Sequence, residues 1–65
     1  MTLGDFVTAA MGKAVYREMP DGTFEGFVPQ LSGAIGRGKT REECEADLLK
    51  YVEYWIKRTL GTPHQ

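Results

Sequence analysis

At 65 residues, with 42% apolar and 26% charged side chains, the chain has the make-up of one small folded domain, too apolar to stay disordered. Its formal net charge of −1, from eight basic and nine acidic residues, offers no broad basic field for a phosphate backbone. No apolar run approaches the ~20 residues that span a bilayer, and no basic segment leads into an apolar run at the N-terminus, so a cytoplasmic location is expected.

The first segment, TLGDFVTAAM, sets Leu3, Phe6, Val7, Ala10 and Met11 at helical spacing. Thr2 can cap it, Asp5 sits in the first turn where the dipole favours an acid, and Gly12 is a stop, so a helix is predicted over residues 3–11. KAVYREM then reads as a strand. Pro20-Asp21-Gly22 is turn chemistry, because proline presets its own φ and glycine accepts a positive one. TFEGFV is the returning strand of an antiparallel hairpin, and Pro29 ends it or sits at its edge. PQLSG is a loop and AIGRG a short third strand.

From Thr40 the period becomes helical. Thr40 and Glu43 have the spacing of a reciprocal capping box. Glu42, Glu43, Glu45 and Asp47 crowd the start of this helix, while Lys57 and Arg58 stand at its end, an order that suits the dipole. Gly61 and Pro63 terminate it, leaving residues 61–65 as a loose tail. The prediction is a single α+β domain over residues 1–65, in the order αβββα, with a three-stranded antiparallel sheet packed by a long C-terminal helix and a short N-terminal one.

GAIGRGKT, residues 33–40, fits the phosphate-loop pattern G-x-x-x-x-G-K-[ST]. In a phosphate loop, however, the strand precedes the first glycine; here VPQLS precedes it and AIGR is itself the strand. Thr40 is accounted for as a helix cap, and Gly33 and Gly38 as strand-end turns. No nucleotide, metal or other cofactor is expected.

On the long helix, at about 100° per residue, Cys44, Leu48, Leu49, Tyr51, Val52, Trp55, Ile56 and Leu60 cover nearly half the circumference. One contact with a sheet needs a stripe only somewhat over about 100° wide. On one reading, Cys44, Leu48, Val52 and Trp55 pack on the sheet while Leu49, Ile56 and Leu60 meet the first helix or another subunit. On the other, the helix is simply sandwiched between the sheet and the first helix. Alternation puts Phe24, Gly26 and Val28 on one face of the second strand and Ala34, Gly36 and Gly38 on one face of the third. Those small residues leave space for the Trp55 ring. The opposite face carries Phe27 and Ile35, an apolar patch if nothing covers it. Free sheet edges also invite strand addition. Both features favour self-association or a protein partner.

DGTFEGFVPQLSGAIGRGKTREECEADL resembles the HicB-like antitoxins, small proteins of type II toxin–antitoxin systems. The residues that carry the resemblance are Asp21, Gly22, Phe24, Pro29, Leu31, Gly33, Gly38, Thr40, Glu42, Glu43 and Cys44, with LLKYVEYWI continuing the helix, over residues 14–57. The resemblance implies a ferredoxin-like or partial ribonuclease-H-like fold. It implies a non-enzymatic module, an antitoxin or an antitoxin remnant, of the kind that neutralises a small basic mRNA-cleaving, HicA-like toxin by covering its surface. Family members often add a C-terminal DNA-binding domain, for which this chain has no room, so direct DNA binding is not expected. The interface residues assigned are Asp21 and Glu25 toward a basic toxin, and Phe27, Ile35, Leu49, Ile56 and Leu60 toward a toxin or a second copy. A homo-oligomer is expected.

Catalytic residues are not expected. His64, the lone histidine, lies in the tail, and Cys44 reads as a small buried hydrophobe, although a helix N-terminus can lower a thiol's pKa. As a single cysteine it cannot form an intrachain disulfide, which fits a reducing compartment. Glu18, Asp21 and Glu25 are too few and too spread to assemble a metal-dependent nuclease. The competing reading is a small nucleic-acid-binding regulator using Arg17, Arg37, Lys39 and Arg41, which the charge balance disfavours.

Overall fold

The computed structural model describes residues 2–61, and for Leu60 and Gly61 the backbone alone. The elements are α1 (Leu3–Met11), β1 (Val15–Glu18), β2 (Phe24–Phe27), β3 (Ile35–Gly38) and α2 (Arg41–Ile56), followed by a π-helical stretch, Lys57–Gly61. This is the predicted αβββα order with an antiparallel sheet in the order β1-β2-β3. The long helix closes earlier than expected: its α-type ladder ends at Ile56, and the coil widens over the residues predicted to extend it.

Local chemistry explains the boundaries. At α1, Thr2 Oγ1 accepts from the Asp5 amide and Asp5 Oδ2 accepts from the Thr2 amide, a complete capping box. Gly12 ends α1 but keeps a right-handed φ of −64°, so its freedom at positive φ is not what stops the helix. The chain leaves instead through tight turns in which Lys13 and Ala14 donate to the carbonyls of Ala10 and Met11. In the β1–β2 hairpin, Gly22 takes a φ of +86°, and Asp21 Oδ1 accepts from both the Thr23 amide and its hydroxyl. Gly33 supplies a second positive φ, +89°, between β2 and β3.

At α2, Thr40 Oγ1 accepts from the Glu43 amide as predicted, but Glu43 Oε1 reaches the Lys39 amide rather than that of Thr40. The expected box is therefore displaced by one residue, because the Lys39 amide at the end of β3 is the orphan donor within reach. GAIGRGKT is thus a turn, a strand and a helix cap, and has no phosphate-loop shape.

The core lies between one sheet face and the two helices. Val7, Val28, Ala34, Cys44, Leu48, Val52 and Ile56 are buried, the helix contributing every fourth residue. The sheet face beneath α2 carries Tyr16, Gly26, Gly36 and Gly38. A Cβ built on Gly36 would fall on the Leu48 backbone, and one on Gly38 would lie 2.5 Å from the Cys44 nitrogen. The space left by these glycines is filled by the helix backbone and not by the Trp55 ring expected there. Trp55 sits further along, its Nε1 donating to the Ser32 carbonyl at 3.1 Å. Ile56 takes a place in the core, at 6% exposure. Among the described residues, no helix is long and apolar enough to cross a membrane.

Candidate functional site

Neither helix covers the other sheet face, and strand register organises it. Val15 pairs with Phe27 and Phe27 with Ile35; Arg17 pairs with Glu25 and Glu25 with Arg37. Alternation puts both rows on the uncovered side. The first row is apolar, with Val15 44% exposed, Ile35 42% exposed and Phe27 half-buried between them.

The second row is an ion triad. Arg17 donates through Nε and Nη2 to Glu25 Oε1 at 3.1 and 2.7 Å, and Arg37 donates through the same atoms to Oε2 at 3.2 and 3.0 Å. The two guanidinium stems shelter the carboxylate, whose side chain is 10% exposed against 62% and 71% for the arginines. Hydrogen bonds from Arg17 and then Arg37 hold the Glu25 carboxyl below its ordinary pKa, against the opposing effect of burial. Two cations around one anion leave the row with a net positive charge. The expectation that Glu25 offers negative charge to a basic partner is therefore corrected: that charge is already neutralised within the chain.

The other residues assigned to an interface are scattered. Asp21 is at the hairpin tip, where its bonds from Thr23 lower its carboxyl pKa and give it a turn-forming role. Leu49 is half-buried against the core, and Ile56 is inside it, so Ile56 is withdrawn as a contact residue. The side chain of Leu60 lies outside the described residues, as does His64. Glu25, Phe27 and Ile35 do share one face. Val15, Arg17 and Arg37 complete it, and strand alternation could have placed all three there. A second apolar feature, a hollow of about 200 Å³ between α1 and α2, is lined by Phe6, Ala10, Leu31, Trp55, Ile56 and Thr59.

Of the four cations offered for nucleic acid, Arg17 and Arg37 are committed to Glu25, and Arg41 lies 4.6 Å from the centre of the Tyr16 ring. Cys44 is fully buried with its thiol directed at the Gly36 carbonyl. Burial, followed by the charges of Asp47 and Glu25, pushes its pKa up, so the helix N-terminus does not activate it. No group of three His, Cys, Asp or Glu side chains able to hold a metal ion occurs among the described residues.

The profile of the UPF0150-like family matches residues 5–65. The chain belongs to the UPF0150-like family. A solved structure, that of TTHA0281 from Thermus thermophilus, is similar to this UPF0150-like chain at 34% identity and TM-score 0.83. The match covers 92% of this chain and 75% of that one, so the αβββα architecture is shared. No curated protein matches the chain.

Proposed function

We propose that this UPF0150-like protein is a non-enzymatic binding module of the HicB-like antitoxin type, acting by covering the surface of a small basic, RNA-cleaving toxin. The observation that carries the reading is the uncovered sheet face, where the Val15–Phe27–Ile35 row lies open beside the Arg17–Glu25–Arg37 triad. An apolar strip bordered by hydrogen-bonded polar groups is the composition of an interface centre, and the triad's one excess positive charge sits on exposed arginine heads that stay hydrated at its rim. The family membership and the motif running from Asp21 to Cys44 support the same reading. Exposed Glu42 and Glu45 at the start of α2, rather than Glu25, supply attraction for a basic partner and raise its association rate.

The test is co-expression with the small basic proteins encoded beside this chain, followed by capture and an RNA-cleavage assay. Capture with loss of cleavage is expected, and Ile35→Glu should abolish both while leaving the melting temperature unchanged. A chain that captures none of them and leaves their cleavage intact rules the reading out.

A further inference from the structure

The two edges of the sheet are built differently, and the difference assigns a use to one of them. In an antiparallel ladder, alternate residues of a strand turn their backbone groups toward opposite neighbours. The Met19 amide donates to the Thr23 carbonyl, which makes Arg17–Glu25 and Val15–Phe27 the hydrogen-bonded pairs of β1 and β2. Gly26 and Phe24 then bond to β3, and Ile35, Arg37 and Lys39 turn their amides to its outer edge.

All three of those outer amides are occupied. Ile35 donates to the Gly33 carbonyl at 3.1 Å, Arg37 to Asp47 Oδ2 at 2.9 Å and Lys39 to Glu43 Oε1 at 3.1 Å. The second and third acceptors are carboxylates reaching down from α2, so the β3 edge has no free amide to offer an added strand.

The β1 edge carries no such closure. The same alternation turns the amides and carbonyls of Tyr16 and Glu18 outward, and among the described residues nothing bonds to them. The first helix packs on α2 rather than along this edge.

We propose that the β1 edge pairs antiparallel with β1 of a second copy, joining two sheets into one of six strands. A second copy presents the same open edge, and pairing the two about a twofold axis leaves only the β3 edges outward, so the assembly stops at two. Charge sets the register. Centring the axis on Arg17 or on Glu18 places like charges directly opposite, which is destabilising. Centring it on Tyr16 sets Tyr16 opposite Tyr16 of the second copy, Arg17 opposite its Val15 and Glu18 opposite its Ala14. The Arg17 stem then lies on Val15 and extends the apolar strip across the junction. The Tyr16 pair exchanges two hydrogen bonds, and each Glu18 amide donates to an Ala14 carbonyl, because the Ala14 amide is already held by Met11.

The test combines sedimentation equilibrium with amide exchange on the full chain, from micromolar to millimolar protein. A monomer–dimer equilibrium is expected, with the Tyr16 and Glu18 amides protected at high concentration and exposed on dilution. Glu18→Pro removes an outward donor that the chain's own sheet does not use, so its circular dichroism should be retained while dimer dissociation rises about tenfold or more. Should that variant fail to fold, the exchange pattern of the unsubstituted chain decides alone. A monomer at millimolar concentration overturns the proposal. So does a dimer whose Tyr16 and Glu18 amides exchange freely, or one that a folded Glu18→Pro leaves intact.

Discussion

Glu25 is a carboxylate with almost no access to water, and its stability rests on two guanidinium groups from the neighbouring strands. Its native pKa is depressed, whereas in the unfolded chain it titrates near 4.5. Its contribution is therefore fully present above about 4.5 and is lost as pH falls through the lower native value. Glu25→Gln removes the anion and leaves Arg17 and Arg37 as uncompensated like charges across β2. Thermal melts should show a lower Tm than the parent at neutral pH, with the gap shrinking as acid protonates the parent's carboxyl. An equal gap at every pH would assign the loss to packing instead. Half of this triad was legible in the sequence. The Pro20–Gly22 turn sets Arg17 opposite Glu25, but the pairing of Glu25 with Arg37 depends on the irregular path from Val28 to Ala34, whose length no turn rule specifies.

At the scale of elements, the contact that decides the packing is a backbone one. Gly36 does not have positive φ, so alanine meets no dihedral strain there. It meets the backbone of Leu48, which no rotamer change can move. Overpacking costs about 1–3 kcal/mol and the entropy gained from the unfolded chain recovers less than about 1 kcal/mol, so Gly36→Ala should destabilise toward the upper end of that range. Urea denaturation would show it as a fall in midpoint with an unchanged slope. Periodicity and turn residues marked the five elements well, because each carries its own signal: a cap at Thr2 and Thr40, a turn at Asp21-Gly22, alternation between. Rotation of the long helix was less legible. Cys44, Leu48 and Val52 leave the choice between Trp55 and Ile56 open, since both continue the same arc. The glycines settle it by drawing the first turns of α2 onto β3, while α1 covers the other end.

For the whole molecule, small size makes the core unforgiving. A domain of this length has roughly 3–10 kcal/mol of stability at ordinary per-residue values. Leu48 is fully buried at the meeting of both helices and the sheet, and Leu48→Ala removes about 2–5 kcal/mol. Calorimetry should find its transition shifted far down or lost, where Tyr54→Ala, at an exposed site, leaves it in place. The identity of a partner was not legible at this scale from residues alone, since an open face specifies chemistry and shape but not which molecule bears the complement. The glycines under α2 bring Asp47 and Glu43 close enough to cap the outward amides of Arg37 and Lys39. A bulkier residue at position 36 would push the helix away and withdraw those carboxylates. On the proposed β1 pairing, such a variant would be adhesive on both sides, and a self-limiting pair would give way to fibrils growing without end.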